Sequence, residues 1–304
     1  MSQMEVLILG GAGMLGHKLF QHLRNQYPET HCTIRGSIQD PLLRNVELFH
    51  SGGVIENCDA ADFCALESLL REYRPKVVIN CIGIVKQRPE AKEAVASITV
   101  NSLLPHKLAE FCQRWGGRLI HFSTDCVFSG DRGEYREEDL PDAQDLYGQT
   151  KALGEVTTGR ALTLRTSIIG RELTHSESLL EWFLLQEHKR VSGYTRALYS
   201  GVTTNHMATV VTNLIENHPG LAGLYQVTSQ KISKFDLLCL IRGGYKLDVK
   251  ITPNPDLFCD RSMKGDKFAK ATGYGCPSWP ELIAELANDD TPYKEWKRIE
   301  VPAL

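Results

Sequence analysis

Gly10-Gly11-Ala12-Gly13-Met14-Leu15-Gly16 follows the apolar run Val6-Leu7-Ile8-Leu9 and leads into Lys18-Leu19-Phe20-Gln21-His22-Leu23. The pattern is strand, tight glycine turn, helix. Glycines spaced in this way let the backbone approach a pyrophosphate at a helix N-terminus, where unpaired N–H groups and the helix dipole favour negative charge. The cradle would be lined by Gly10, Gly13, Met14, Leu15 and Gly16. A tight turn with no ligand uses the same residues, so the motif takes its meaning from its surroundings.

Composition narrows those surroundings. The 304 residues are 42% hydrophobic and 23% charged, enough for one large α/β unit or two smaller ones. A net charge of −3 with no basic block argues against a nucleic-acid partner. Apolar runs such as Val77-Val78-Ile79 fall far short of a membrane span, and the N-terminus has no charged-then-apolar signal pattern, so no membrane partner and a cytoplasmic location are expected. The nine cysteines are odd in number, scattered and without a Cys-x-x-Cys pair, which points to reduced thiols. The ten histidines show no zinc-ligand spacing, so no metal site is expected.

Moving outward, Thr30 to Gly36 reads as a second strand carrying Arg35 near its end. Folds that select NAD place an acidic residue here for the ribose 2′-hydroxyl, whereas an arginine accepts a 2′-phosphate. Ala61 to Tyr73 has apolar residues about one turn apart, predicting a helix, with Asp59 just before it. Pro75 ends that helix, and Val77 to Asn80 forms a buried strand running into Cys81-Ile82-Gly83. A helix from about Ser102 to Trp115 holds Pro105 in its first turn, and the strand Arg118 to Phe122 ends in Ser123-Thr124-Asp125. This alternation predicts an α/β fold, a doubly wound parallel sheet with helices on both faces. Ligands of such sheets sit beyond the carboxyl ends of the strands, which brings the glycine turn, Arg35, Asn80 to Gly83 and Ser123 to Asp125 to one edge.

Asp131 to Ala143 is polar and turn-rich, and we read it as a loop over that edge. A helix from Tyr147 to about Glu155 and a strand from Leu162 to Thr166 follow. Beyond Gly170 the pattern loosens into helices (178–186, 206–216, 234–242) and short strands (223–227, 248–251). The expected division is residues 1–170 for the dinucleotide half and 171–304 for a smaller substrate lobe, with some elements returning to the first half.

Tyr147 and Lys151 stand at i and i+4, so a phenol and an ammonium share one helix face. The same spacing recurs at Tyr293 and Lys297, but that pair has no upstream strand ending in a hydroxyl residue. A tyrosine with a pKa near about 10 is a poor acid at neutral pH, and a neighbouring ammonium is expected to lower it. Proton delivery to a carbonyl oxygen then becomes feasible, with Thr124 donating a hydrogen bond to the same oxygen. Thr124, Tyr147 and Lys151 are the expected catalytic residues.

These motifs give the chain a family resemblance. It resembles the extended short-chain dehydrogenase/reductases, and within them the dTDP-4-dehydrorhamnose reductase branch, over nearly its whole length. Gly10, Gly13 and Gly16 fit the family's Gly-x-x-Gly-x-x-Gly, and Asn80-Cys81-Ile82-Gly83 its Asn-Ala-Ala-Gly-like turn. Ser123 to Gly130 looks like the branch's Ser-Thr-Asp-Tyr-Val-Phe segment, and Tyr147 to Lys151 like its catalytic pair. Leu164 to Ser167 and Gly223 to Val227 are similar as well. The resemblance implies a Rossmann-type sheet, NADP(H), and reduction of a nucleotide-linked sugar ketone at C4. Tyr147 would protonate the ketone oxygen, Lys151 would hold the cofactor ribose, and Thr124 would orient the carbonyl. It also implies Asp59 beside the adenine, Asn101 in support of the proton relay, and a homodimer.

Departures fall where relatives face the sugar. Cys126 replaces the aromatic after Ser-Thr-Asp, Ile168-Ile169-Gly170 replaces Trp-Val-Tyr-Gly, and Arg196 to Thr204 follows Gly-x-Pro-Thr only loosely. Lys86, Thr124, Asp125, Arg196 and Tyr199 are the expected substrate contacts. An epimerase or dehydratase that keeps NAD bound, and a non-catalytic regulator like the methionine adenosyltransferase subunit of this branch, are the alternatives. Arg35 argues against the first, and retention of Thr124, Tyr147 and Lys151 against the second.

Overall fold

The computed structural model describes residues 4–86 and 89–298. Strand β1 (Val6–Leu9) is buried along its whole length because it lies inside a parallel sheet. Its alternate residues feed two cores. Val6 and Ile8 point to one face of the sheet, Leu7 and Leu9 to the other.

The other strands of this half are β2 (Thr30–Thr33), β3 (Val54–Ile55), β4 (Val77–Asn80), β5 (Arg118–Phe122) and β6 (Ala161–Arg165). Beyond them come β7 (Ile168–Ile169), β8 (Arg190–Tyr194), β9 (Ala197–Tyr199), β10 (Val202–Thr203) and β11 (Gly223–Gln226). The main sheet runs β11-β6-β5-β4-β1-β2-β3 with every pairing parallel. β1 is its pivot, with Val6 opposite both Thr30 of β2 and Val77 of β4. Chain order reverses there, and crevices at such reversals are where dinucleotides bind.

Helices α1 (Met14–Arg24), α2 (Glu47–His50), α3 (Phe63–Tyr73), α4 (Ala94–Ser97), α5 (Leu104–Gln113) and α6 (Leu146–Leu153) belong to this half, and α7 (Leu179–Leu184) and α8 (Thr204–Glu216) follow. Leu19, Phe20 and Leu23 of α1 share a core with Met207, Val211 and Leu214 of α8, so a helix from beyond residue 170 covers the first face. Leu66 and Leu70 of α3, with Leu104 and Leu108 of α5, cover the second. Asp62 starts α3 by accepting the Ala65 N–H at 3.0 Å. The helix expected from Ser102 begins earlier: α4 and α5 are joined by a π-helical segment, Ile98–Leu103, which carries Asn101 inward.

The smaller lobe adds β12 (Ile232–Ser233), β13 (Lys250–Asn254), β14 (Cys259–Asp260), α9 (Lys234–Tyr245), α10 (Asp266–Thr272), α11 (Trp279–Ala287) and α12 (Tyr293–Trp296). β9 lies between β12 and β14, β8 pairs with β13, and β7 with β10. Leu180, Leu237, Ile241 and Leu282 form the lobe's own core. Its two- and three-residue strands are too short for an alternating pattern, so most of them escape a reading by periodicity. Among the described residues, no helix is long and apolar enough to cross a membrane.

Candidate active site

The glycine turn is held open by its backbone. Gly10 takes φ +85°, which side-chain-bearing residues rarely adopt, and a methyl group on Gly16 would run into the Gly10 carbonyl oxygen. The Gly11 N–H donates to the Thr33 carbonyl at 2.7 Å, tying the turn to β2. Gly13 caps α1 without a side-chain bond, and the first turn has no acidic residue. A turn with no room for a Cβ at Gly11 or Gly16, leading into the free N–H groups of a helix start, fits a pyrophosphate.

The remaining expected cofactor residues lie around this turn. Arg35 is exposed two residues past β2. Asp59 is exposed and accepts the Ala61 N–H at 3.0 Å. Asn80, fully buried at the end of β4, shapes its own turn: its Oδ1 accepts the Ile82 N–H at 3.1 Å and its amide lies 3.1 Å from His121 Nδ1. Burial pushes the Cys81 thiol well above its usual range. Asn101 accepts the Ile84 N–H at 2.9 Å and donates back to the Ile84 carbonyl at 3.1 Å, holding Gly83 near Lys151.

Thr124, Tyr147 and Lys151 come together at the tip of β5. Thr124 Oγ1 accepts the Cys126 N–H and donates to Asp125 Oδ1, each at 3.1 Å, and lies close enough to the Tyr147 phenol to act on its titration. Asp145 starts α6 by accepting the Gly148 N–H at 2.9 Å, which sets the helix face carrying the pair. Lys151 is buried, its ammonium donating to the Phe122 carbonyl at 2.6 Å. Desolvation pulls its pKa down to about 8, opposed chiefly by the Glu155 carboxylate. Beneath the pair, Glu155 binds Arg165 through two 2.7 Å contacts and accepts the Ser123 hydroxyl at 2.7 Å, locking α6 to β5 and β6.

One expectation is reversed. The spacing implies an ammonium that lowers the Tyr147 pKa, yet in the structure the phenol is pushed up. Burial is the largest cause, Cys126 and Asp125 add to it, and the Lys151 ammonium is engaged with a backbone carbonyl.

Toward the smaller lobe, burial raises the Asp125 carboxyl, and the Lys234 and Arg261 cations oppose that shift. The Lys234 ammonium lies 3.9 Å from the Tyr199 ring centre, and the buried Tyr199 hydroxyl has no hydrogen-bond partner among the described residues. Arg261 donates to the Phe128 carbonyl at 2.9 Å. Lys86 pairs with Asp145 at 2.9 Å on an exposed rim. Arg196 stacks instead on the exposed Phe258, 5.1 Å from its ring centre. The sequence reading missed Lys234 and Arg261. Lys234 carries a usable signal: it is the first residue of a helix, where a cation opposes the helix dipole. A separate hollow of about 280 Å³ between the end of α5 and the start of β6, with Gly116, Gly159 and Arg160 in its wall, contains none of these groups.

Residues 4–256 match the family described as RmlD substrate binding domain. The chain belongs to that family. It is 31% identical over 150 residues to a dTDP-4-dehydrorhamnose reductase of Streptomyces griseus, covering 49% of this chain and 43% of that protein. It is 26% identical over 289 residues to methionine adenosyltransferase 2 subunit beta of Pongo abelii, covering 84% and 78%. Among solved structures, a dTDP-4-dehydrorhamnose reductase from Bacillus anthracis in complex with NADP matches with a TM-score of 0.75 at 20% identity, over 93% of this chain and 98% of that one. That likeness shows that the fold is shared by this family member.

Proposed function

We propose that this member of the RmlD substrate binding domain family is an NADPH-dependent reductase that converts the C4 ketone of a nucleotide-linked 4-keto-6-deoxysugar to a hydroxyl. The observation that carries the reading is the convergence of Thr124, Tyr147 and Lys151 on the sheet edge that also bears the glycine cradle. The cofactor, when bound, supplies the hydride. Gly10, Gly13, Met14, Leu15 and Gly16 would hold its pyrophosphate and Arg35 its 2′-phosphate. Asp59, Asn80, Cys81, Gly83 and Asn101 would line the remaining path, and Lys151 would reach its ribose.

In this reading Tyr147 gives its proton to the ketone oxygen while Thr124 steadies that oxygen. Lys86, Asp125 and Tyr199 belong to the substrate side, with Arg196 at the rim, and Lys234 and Arg261 answer the negative charge of the nucleotide. Residues 1–170 would form the cofactor half and 171–304 the substrate lobe. The exposed Val95, Ile98 and Leu103 on the α4–α5 unit and Leu153 on α6 suit a homodimer in the cytoplasm.

A non-catalytic NADP-binding regulator is the second reading, favoured by matches to methionine adenosyltransferase 2 subunit beta over as much as 92% of this chain. Assaying nucleotide-linked 4-ketosugars for NADPH oxidation separates the two. Consumption of NADPH with one of them supports the reductase. Tight NADPH binding with no oxidation by any of them supports the regulator. Arg35 is tested by titration, with NADPH expected to bind at least about tenfold more tightly than NADH. Equal affinities would remove Arg35 from the site.

A further inference from the structure

The second Tyr-x-x-x-Lys lies in the last described segment, and its tyrosine is buried against α1. Tyr293 Oη is 2.9 Å from His17 Nε2, and His17 Nδ1 is 2.8 Å from the Gly13 carbonyl oxygen. A carbonyl oxygen can only accept, so Nδ1 carries the proton. Nε2 is then the acceptor, and the Tyr293 hydroxyl must donate to it. His17 is fully buried and neutral, its pKa pulled down to about 4 by desolvation. One phenol therefore fixes one tautomer, and that tautomer grips one carbonyl.

That carbonyl belongs to the cap of α1. The Gly13 C=O and the Met14 N–H are parts of the same planar peptide and point in opposite directions, so anchoring the first aims the second. The Met14 N–H is one of the free donors at the helix start. We infer that Tyr293, acting through His17, is a positioning residue for the pyrophosphate of the dinucleotide, and that residues 289–297 form a strap holding the glycine turn in its binding shape. The inference rests on the cofactor reading above.

The strap is anchored independently of the histidine. Lys18 forms a buried ion pair with Asp289 at 2.6 Å and donates to Thr291 Oγ1 at 3.0 Å. The Arg171 guanidinium lies 4.5 Å from the Tyr293 ring centre. Glu181 of α7 binds both Arg171 at 2.6 Å and Lys297 at 2.7 Å, and Asn205 of α8 donates to Asp289 at 3.2 Å. The hydroxyl is thus placed from both ends of its segment, by Lys18 of α1 and by Arg171, Glu181 and Asn205 from beyond residue 170. No proton need move: the device is geometric.

Tyr293→Phe keeps the ring and its packing and removes only the donor. The full-length protein and this variant are titrated with NADPH and with adenosine 2′-monophosphate, which has the adenine end but no pyrophosphate, and melting midpoints are recorded. The expected result is a five- to tenfold rise in the NADPH dissociation constant with binding of the monophosphate unchanged. His17→Asn, whose amide can reach the Gly13 carbonyl without help from Tyr293, should make NADPH binding insensitive to Tyr293→Phe. Equal weakening of both ligands, or a lower melting midpoint with unchanged NADPH affinity, overturns the inference and leaves a packing role. If the wild-type chain binds no NADPH, the cofactor reading fails and takes this inference with it. If the wild type binds and the variant binds equally, only this inference falls.

Discussion

Tyr147–Lys151 and Tyr293–Lys297 have the same spacing and opposite circumstances. The phenol of the first meets Thr124 beside Asp125 at the sheet edge, and its ammonium has, among the described residues, only a backbone carbonyl as hydrogen-bond partner. The phenol of the second is consumed by His17, and its ammonium by the carboxylate of Glu181. Among the described residues no carboxylate lies within ion-pair distance of Lys151. Lys297 has one at 2.7 Å. A group whose hydrogen-bonding capacity is spent on its own chain holds structure. A buried group left short of partners is available to a ligand, at a cost in stability.

The sharpest way to break this contrast is to remove each hydroxyl. Tyr147→Phe should lower turnover by about a hundredfold or more with cofactor binding retained, whereas Tyr293→Phe should leave turnover at saturating cofactor within about twofold. Steady-state rates decide it, and equal losses would abolish the distinction. The reverse asymmetry should appear in stability. Asp289→Ala strips the buried Lys18 of its carboxylate and should cost about 3 kcal/mol, lowering the melting midpoint by roughly 6 to 12 °C. A midpoint within a degree or two of wild type would mean that the strap is not tied where the structure ties it.

How much of this contrast can be seen in the sequence differs between the two regions. The Tyr147 pair could be found because its partners are local in pattern: a strand ends at Phe122, hydroxyl residues follow, and a capped helix begins at Leu146. The glycine turn and the parallel order come from the same short-range rules. Lys234 offers only its place at a helix start, and Arg261 and the strap could not be found in that way. His17 and Tyr293 are 276 residues apart, and their meeting depends on the packing of the smaller lobe, which no periodicity encodes. The direction of the Tyr147 shift was equally out of reach. Spacing predicts a neighbour, but desolvation depends on everything that surrounds the phenol, and here it outweighs that neighbour.

The lysines sharpen the comparison through pH. Lys151 titrates at about 8 in the fold against an ordinary value of 10.5, because burial disfavours its charge. Between these values the folded chain holds fewer protons at this site than the unfolded chain does. Stability from this group therefore rises with pH across that window and is flat below it. Activity should run the other way. Above pH 8 the ammonium that would reach the cofactor ribose is lost, so turnover should fall by about tenfold per pH unit, and the limb should move to higher pH in Lys151→Arg. A turnover profile flat to pH 10 would show that Lys151 does not carry that charge.

Lys297→Met is the smallest change and the control for the others. Its partner Glu181 keeps the Arg171 guanidinium at 2.6 Å and the Glu172 N–H at 3.0 Å, so the carboxylate is not left bare. The Lys297 head is partly solvated, at 23% side-chain exposure, which limits what the pair contributes. The expected loss is below about 1 kcal/mol, with the alkaline limb of turnover unmoved, measured by denaturant unfolding and by the same pH series. A limb displaced by Lys297→Met would mean that the two pairs are electrically coupled through the body of the sheet. The division between a pair that does chemistry and a pair that holds the turn would then have to be redrawn as one network.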